Sequence, residues 1–96
     1  MYEKLLVDCG LTHNESLTYM ALLRLGKSKS GEIVREANVS GGKIYETLYK
    51  LIDKGLVKAV NENGVKHFIA NDPKVVLEYI KEKQKVLEDK EKELEK

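Results

Sequence analysis

At 96 residues the chain has room for one domain and a modest core, which excludes a bilobed catalytic cleft. Hydrophobic residues at 42% and charged residues at 34% describe a globular protein with a heavily solvated face, and no apolar run reaches the roughly 18 to 20 residues of a membrane span. The net charge of +1 is uneven: residues 24–70 hold nine Lys and Arg against five acids, while residues 1–23 and 71–96 are both net acidic, so a polyanion is drawn to the middle of the chain.

The N-terminus MYEKLLVDCG lacks the apolar region of a signal peptide, and a cytoplasmic location is expected. Leu5, Leu6 and Cys9 fall at helical spacing and Gly10 closes a short first helix. The lone Cys9 has no disulfide partner and reads as a small buried hydrophobe. Thr12-His13-Asn14-Glu15 has the form of a capping box, in which Thr12 takes a backbone donor and Glu15 reaches back. It opens a second helix whose run LTYMALLRL is apolar on too many sides for one surface stripe, so this helix belongs in the centre, covered on several sides. Gly26 ends it. Ser30 is the expected cap of a shorter third helix with Ile33, Val34 and Ala37 on its apolar edge, and Asn38-Val39-Ser40 breaks the pattern.

From Ser40 to Lys54, Ile44, Leu48, Leu51 and Ile52 recur at i, i+4, i+7 and i+8 and share one buried face. Gly42, Lys43, Glu46, Tyr49, Lys50 and Asp53 lie opposite. A short helix, a tight turn and an amphipathic helix with an outward polar face make the helix-turn-helix pattern, whose second helix lies in the DNA major groove. The outward side chains suit that role. Lys43 and Lys50 can meet phosphates or guanine edges, Glu46 can accept from a cytosine amino group, and Tyr49 can reach a phosphate or a thymine methyl. Tyr45 sits on the flank. Ser40-Gly41-Gly42-Lys43 is no phosphate-binding P-loop, because the earlier glycine, the preceding strand and the hydroxyl after the lysine are all missing. The two glycines are expected to ease the turn and to let bare N–H groups approach a DNA phosphate.

Beyond Gly55, two β-prone segments flank Asn63-Gly64, the two-residue signal of a type I′ hairpin, and the register pairs Ala59 with Phe68 and Lys58 with Ile69. A hairpin joined to a recognition helix is a wing, and Lys66 and His67 near its tip are candidate phosphate contacts. Asn71-Asp72-Pro73 starts a final helix that nothing interrupts up to Lys96. Val76, Leu77, Tyr79 and Ile80 can pack on the domain, and Ile80, Leu87 and Leu94 fall seven apart as a heptad seam, although Lys83 and Lys90 occupy the companion positions. A helix this long with no core beneath it gains stability from a partner, so a homodimer through Tyr79, Ile80, Leu87 and Leu94 is expected. The fold class is therefore mostly α with a small β-hairpin: a winged helix-turn-helix domain over residues 1–72, then a coiled-coil-like C-terminal helix over 73–96.

The residues Gly10-Leu11-Thr12, Glu15, Tyr19, Leu22-Leu23, Gly31-Glu32-Ile33-Val34 and Lys43-Ile44-Tyr45-Glu46-Thr47-Leu48 through Lys54-Gly55-Leu56-Val57 together resemble the TrmB family of archaeal transcriptional regulators. The resemblance covers about residues 1–75. It implies a sequence-specific DNA-binding domain acting as a dimer, with the helix around Lys43 and Tyr45 in the major groove and the tail after Pro73 mediating dimerisation. Many members carry a proline and an arginine where this chain has Ser40 and Gly41. Larger members continue into a sugar-binding domain, so the chain is either a short stand-alone relative or the N-terminal part of a longer protein, and no effector follows from it.

The expected function is a transcriptional regulator that binds double-stranded DNA at a pseudo-palindromic operator, through Ser40, Gly41, Gly42, Lys43, Tyr45, Glu46, Tyr49, Lys50, Lys66 and His67. A winged helix used for protein contact in a larger complex is the alternative, since Glu32, Glu36, Glu46 and Asp53 near the groove face repel phosphates. No nucleophile-base pair or carboxylate cluster falls on catalytic spacing, and two isolated histidines offer no metal site, so neither an enzyme nor a cofactor is expected.

Overall fold

The computed structural model describes residues 2–95. The chain runs through α1 (Tyr2–Asp8), α2 (His13–Leu25), α3 (Ser30–Ala37), a 3₁₀ turn (Gly41–Lys43), α4 (Ile44–Asp53), β1 (Val57–Glu62), β2 (Val65–Ala70) and α5 (Pro73–Glu95). This is a winged helix-turn-helix domain followed by a long C-terminal helix. The expected extension of that helix to Lys96 lies outside the described residues.

The core forms where α2 meets the apolar stripe of α4. Ile44, Leu48 and Leu51 are buried at the expected spacing, together with Tyr19, Leu22, Ile33, Leu56, Val57 and Phe68, and each such side chain contributes about 1.5–3 kcal/mol on leaving water. Helix α2 is central, though its apolar run is covered less completely than its composition predicts: Leu23 and Leu25 reach solvent. Cys9 is only half-buried, because α1 has already ended and it sits in the turn before Gly10.

Two features fix how α2 and α4 sit. The Thr12 side chain accepts from the Glu15 N–H at 3.1 Å and Glu15 accepts the Thr12 N–H at 2.8 Å, completing the capping box. The same Glu15 carboxylate, buried at its side chain, also accepts from Lys54 Nζ at 2.8 and 3.0 Å, tying the start of α2 to the end of α4. At the other end, Asn71 donates through Nδ2 to Gly55 O at 2.7 Å and through its N–H to Leu56 O at 2.8 Å, while its own carbonyl accepts from Tyr19 Oη at 3.0 Å. That node sets the direction in which α5 departs.

Ser30 is not the cap of α3. Lys29 takes the N-cap position, its N–H donating to Glu32 Oε1 at 3.1 Å, and Ser30 is already the first helical residue. The hairpin has the expected register, Ala59 opposite Phe68 and Lys58 opposite Ile69, and Asn63 and Gly64 both hold the positive φ that a type I′ turn requires. Ser28 adds a bridge on the far side of β2: its N–H donates to Phe68 O at 2.9 Å and its carbonyl accepts the Phe68 N–H at 2.8 Å. Helix α5 is capped by Asp72, which accepts the Lys74 N–H at 2.9 Å, and its 23 residues extend about 34 Å, giving the molecule its longest dimension of 54 Å.

Burial alone would raise the Glu15 pKa, but the bonds from Lys54 and Thr12 outweigh it and hold the group below its ordinary 4.5. A lowered pKa adds stability that is present above the unfolded value and lost as pH falls through the folded one. Glu15→Gln is therefore expected to cost about 1–3 kcal/mol at pH 7, and that gap should close in acid as the wild-type carboxylate takes up its proton. Denaturant unfolding at pH 7 and pH 3 checks this; an equal gap at both would remove the ion pair as its source.

Candidate nucleic-acid interface

Helix α4 presents two different flanks, because successive residues turn by about 100° around an α-helix. Lys43, Glu46, Thr47 and Lys50 lie on one side of the buried stripe, and Tyr45 and Tyr49 on the other. The first flank faces the start of α2, where Thr12, His13 and Asn14 form the opposite bank of a shallow groove of about 350 Å³. His13 thus lies on the bank facing Lys43 and Lys50, a placement that spacing along the sequence does not reveal. Lys50 approaches Glu46 at 3.3 Å across one helical turn, an exposed pair of small energetic weight that a stronger anion can displace.

The second flank faces the wing. Tyr45 and Tyr49 stack with centroids 6.4 Å apart, Tyr45 meets the edge of the buried Phe68, and its hydroxyl lies 3.0 Å from Ser30 Oγ. Lys66 donates to Tyr49 Oη at 2.9 Å and sits 5.2 Å from the ring centroid, and this partnership raises its pKa, so it is fully charged at neutral pH. Strand alternation places Lys66 and Phe68 on the face of the hairpin turned to α4 and His67 on the reverse face, where its Nδ1 lies 3.0 Å from the carbonyl of Val65. The two wing residues therefore do not converge.

Ser40 accepts the Gly42 N–H at 3.3 Å and so caps the 3₁₀ turn that leads into α4. Neither Gly41 nor Gly42 has a positive φ, and a Cβ on Gly41 would meet nothing within 4 Å, so the turn itself does not need glycine. What remains of the expected glycine roles is the bare, exposed backbone ahead of Lys43.

Much of the basic character of the middle segment is used internally. Arg24 pairs with Glu36 at 3.6 Å, Lys27 with Glu62, and Lys54 with Glu15. Lys29, Arg35, Lys43, Lys58 and Lys66 have no carboxylate partner among the described residues. No group of His, Cys, Asp and Glu among the described residues is placed to hold a metal ion, and no helix is long and apolar enough to cross a membrane.

Of the residues expected at the C-terminal seam, Tyr79 packs on the domain's own core and Ile80 is half-buried beside it, whereas Leu87 and Leu94 are 66% and 89% exposed. Leu5, Leu6, Met20, Leu23, Leu77 and Ile80 line an apolar groove of about 290 Å³ between the first helices and the root of α5.

An amphipathic helix held against a central helix, with a hairpin braced on its flank, defines the winged-helix class found in transcriptional regulators. The family described as "Sugar-specific transcriptional regulator TrmB" matches residues 5–80, and the chain belongs to the TrmB family, a family of regulators rather than enzymes. It is 40% identical over 73 residues to the HTH-type sugar sensing transcriptional regulator TrmBL1 of Pyrococcus furiosus, a match that covers 76% of this chain and 21% of that relative. Among solved structures it resembles TrmBL2, described as an archaeal chromatin protein with a novel mode of DNA binding, with a TM-score of 0.78 and 20% identity over 99% of this chain and 38% of that one. It also resembles a possible transcriptional regulator from Methanosarcina mazei Go1, with a TM-score of 0.77 and 14% identity over 96% of this chain and 85% of that one. The chain thus spans about a fifth of the curated relative it matches.

Proposed function

We propose that this domain regulates transcription by binding double-stranded DNA as a homodimer, with residues 41–54 in the major groove and the wing, residues 57–70, along the backbone or minor groove. The observation that carries this reading is the exposed polar arc of α4, with Lys43 and Lys50 on one flank and the tyrosine-held Lys66 of the wing on the other. Ser40, Gly41 and Gly42 supply exposed N–H groups at the start of the helix, Lys43 and Lys50 reach phosphates or guanine edges, and Glu46 accepts from a cytosine amino group. Tyr45 and Tyr49 brace the wing while their hydroxyl edges stay exposed, and His67 contributes from the reverse face of the hairpin.

The acids that favour a protein-contact module are partly neutralised within the domain, Glu36 by Arg24 and Glu46 by Lys50. That weakens the alternative. The names of TrmBL1 and TrmBL2 refer to transcriptional regulation and DNA binding, in line with the DNA reading; the sugar sensing in the first name is not extended to this chain, which matches only a fifth of that relative.

In the dimer, a second copy packs along the seam of Ile80, Leu87 and Leu94, with Tyr79 anchoring its root to the core. Two copies related by a two-fold axis would read a pseudo-palindrome with half-sites about one helical turn apart or a multiple of it.

Lys43→Ala is expected to weaken binding chiefly to the cognate site. Lys66→Ala should weaken all duplexes alike and lower the slope of log affinity against log salt by about one. Titrations of cognate and random duplexes over a range of salt separate the two, and identical effects of both changes would refute the assigned roles. Leu87→Asp should yield monomers by sedimentation equilibrium, whereas a variant that stays dimeric would place the interface outside the α5 seam.

A further inference from the structure

The wing-side flank of α4 opens onto a groove of about 610 Å³ between α3 and the wing, roomy for a sugar-phosphate unit and its waters at about 30 Å³ per water. Three cations line it: Lys29 before α3, Arg35 on α3 and Lys66 on β2. Lys29 and Arg35 are exposed and have no carboxylate partner among the described residues. Glu32 is the one acid among the described lining residues, and its Oε1 is turned back to accept the Lys29 N–H at 3.1 Å.

The hydroxyls at this groove define what it lacks. Ser30 and Tyr45 lie 3.0 Å apart, and whichever donates, the proton of the other hydroxyl remains for an outside acceptor. Outside the lining itself, Tyr49 Oη accepts from Lys66, since lysine donates only, which leaves the Tyr49 proton unspent beside the groove. The groove thus sets three cations against one carboxylate and offers an unspent O–H donor, a demand for an anion that brings acceptor oxygens.

Its position favours a nucleic-acid anion. A helix seated in a major groove about 12 Å wide has one sugar-phosphate strand on either side, and the first helix of a helix-turn-helix crosses the backbone. Lys43 and Lys50, with His13 across from them, serve one side of α4. Lys29, Arg35 and Lys66 stand on the other.

We propose that the groove between α3 and the wing is a second phosphodiester seat, built by Lys29, Arg35 and Lys66 around the Ser30–Tyr45 hydroxyl pair, which holds the strand opposite the one met by Lys43 and Lys50. The proposal rests on the DNA reading above and assigns to Lys29 and Arg35 a role that the outward face of α4 does not suggest. Arg35 can present its planar fork to two phosphate oxygens, and Lys29 adds a point charge.

The test is the salt dependence of binding to a random duplex for the full chain and four variants, all first shown to melt like wild type. The double variant Lys29→Ala/Arg35→Ala should lose about two from the salt slope, at about 0.9 per phosphate contact. Arg35→Lys keeps the charge and should keep the slope, and Lys81→Ala, which removes a charge from α5 alone, should leave it unchanged. Arg35→Ala alone should lose about one. A steep wild-type slope that survives the double change would overturn the seat while leaving the DNA reading intact; a wild type that binds no duplex would overturn both. Unchanged duplex binding together with lost binding to poly-glutamate would assign the groove to an acidic protein segment and also overturn the seat.

Discussion

The Glu15 carboxylate is the group on which the geometry of this domain depends. It is buried, and a buried carboxylate persists as a charge only if it is paired and hydrogen-bonded. Here both conditions are met by partners far apart in sequence: the Thr12 N–H at the start of α2 and the Lys54 ammonium just past the end of α4. Moving α4 along or around α2 would leave that charge without its cation, so the apolar stripe of Ile44, Leu48 and Leu51 packs in one arrangement. Hydrophobic burial supplies most of the stabilisation and would tolerate some sliding; the ion pair and the Asn71 node select among the packed arrangements. The exposed arc of α4 then faces outward with a fixed orientation relative to the wing.

That orientation turns a modest charge excess into a directed one. Arg24, Lys27 and Lys54 spend their charge inside the domain, and of the cations left over in the middle segment Lys43 and Lys50 stand on one flank of α4 and Lys29, Arg35 and Lys66 on the other. The tyrosines make up the flank that receives the wing. Tyr45 and Tyr49 lean on each other and, through Tyr45, on Phe68, which is itself held by the bridge to Ser28, so the wing is braced against α4. A pre-positioned wing spares part of the ordering cost of binding.

The fold was largely legible because its signals are local and redundant. The capping box at Thr12, the spacing of Ile44, Leu48 and Leu51, and Asn63-Gly64 each constrain a few neighbouring residues, and the hairpin register follows once the turn is placed. Ser30 misled because a serine before an apolar edge looks like a cap, whereas the helix begins one residue earlier and the Ser30 hydroxyl meets Tyr45 instead. What stayed hidden was long-range: Lys54 reaching Glu15, Asn71 joining three elements, and Lys29 and Arg35 sharing a groove with the wing. Periodicity places a residue on a face of its own helix, and only packing decides which faces meet. The split of α4 into a lysine flank and a tyrosine flank was implicit in the helical wheel, but nothing local tells which flank receives the wing.

A domain that reads base sequence as a dimer selects its own sites, so recovery of bound duplexes from a random DNA pool at near-physiological salt is the first measurement to make. Sequencing of the recovered duplexes should reveal an inverted repeat with half-sites about one helical turn apart or a multiple of it. Recovery with no shared motif, or no recovery above background, would contradict it.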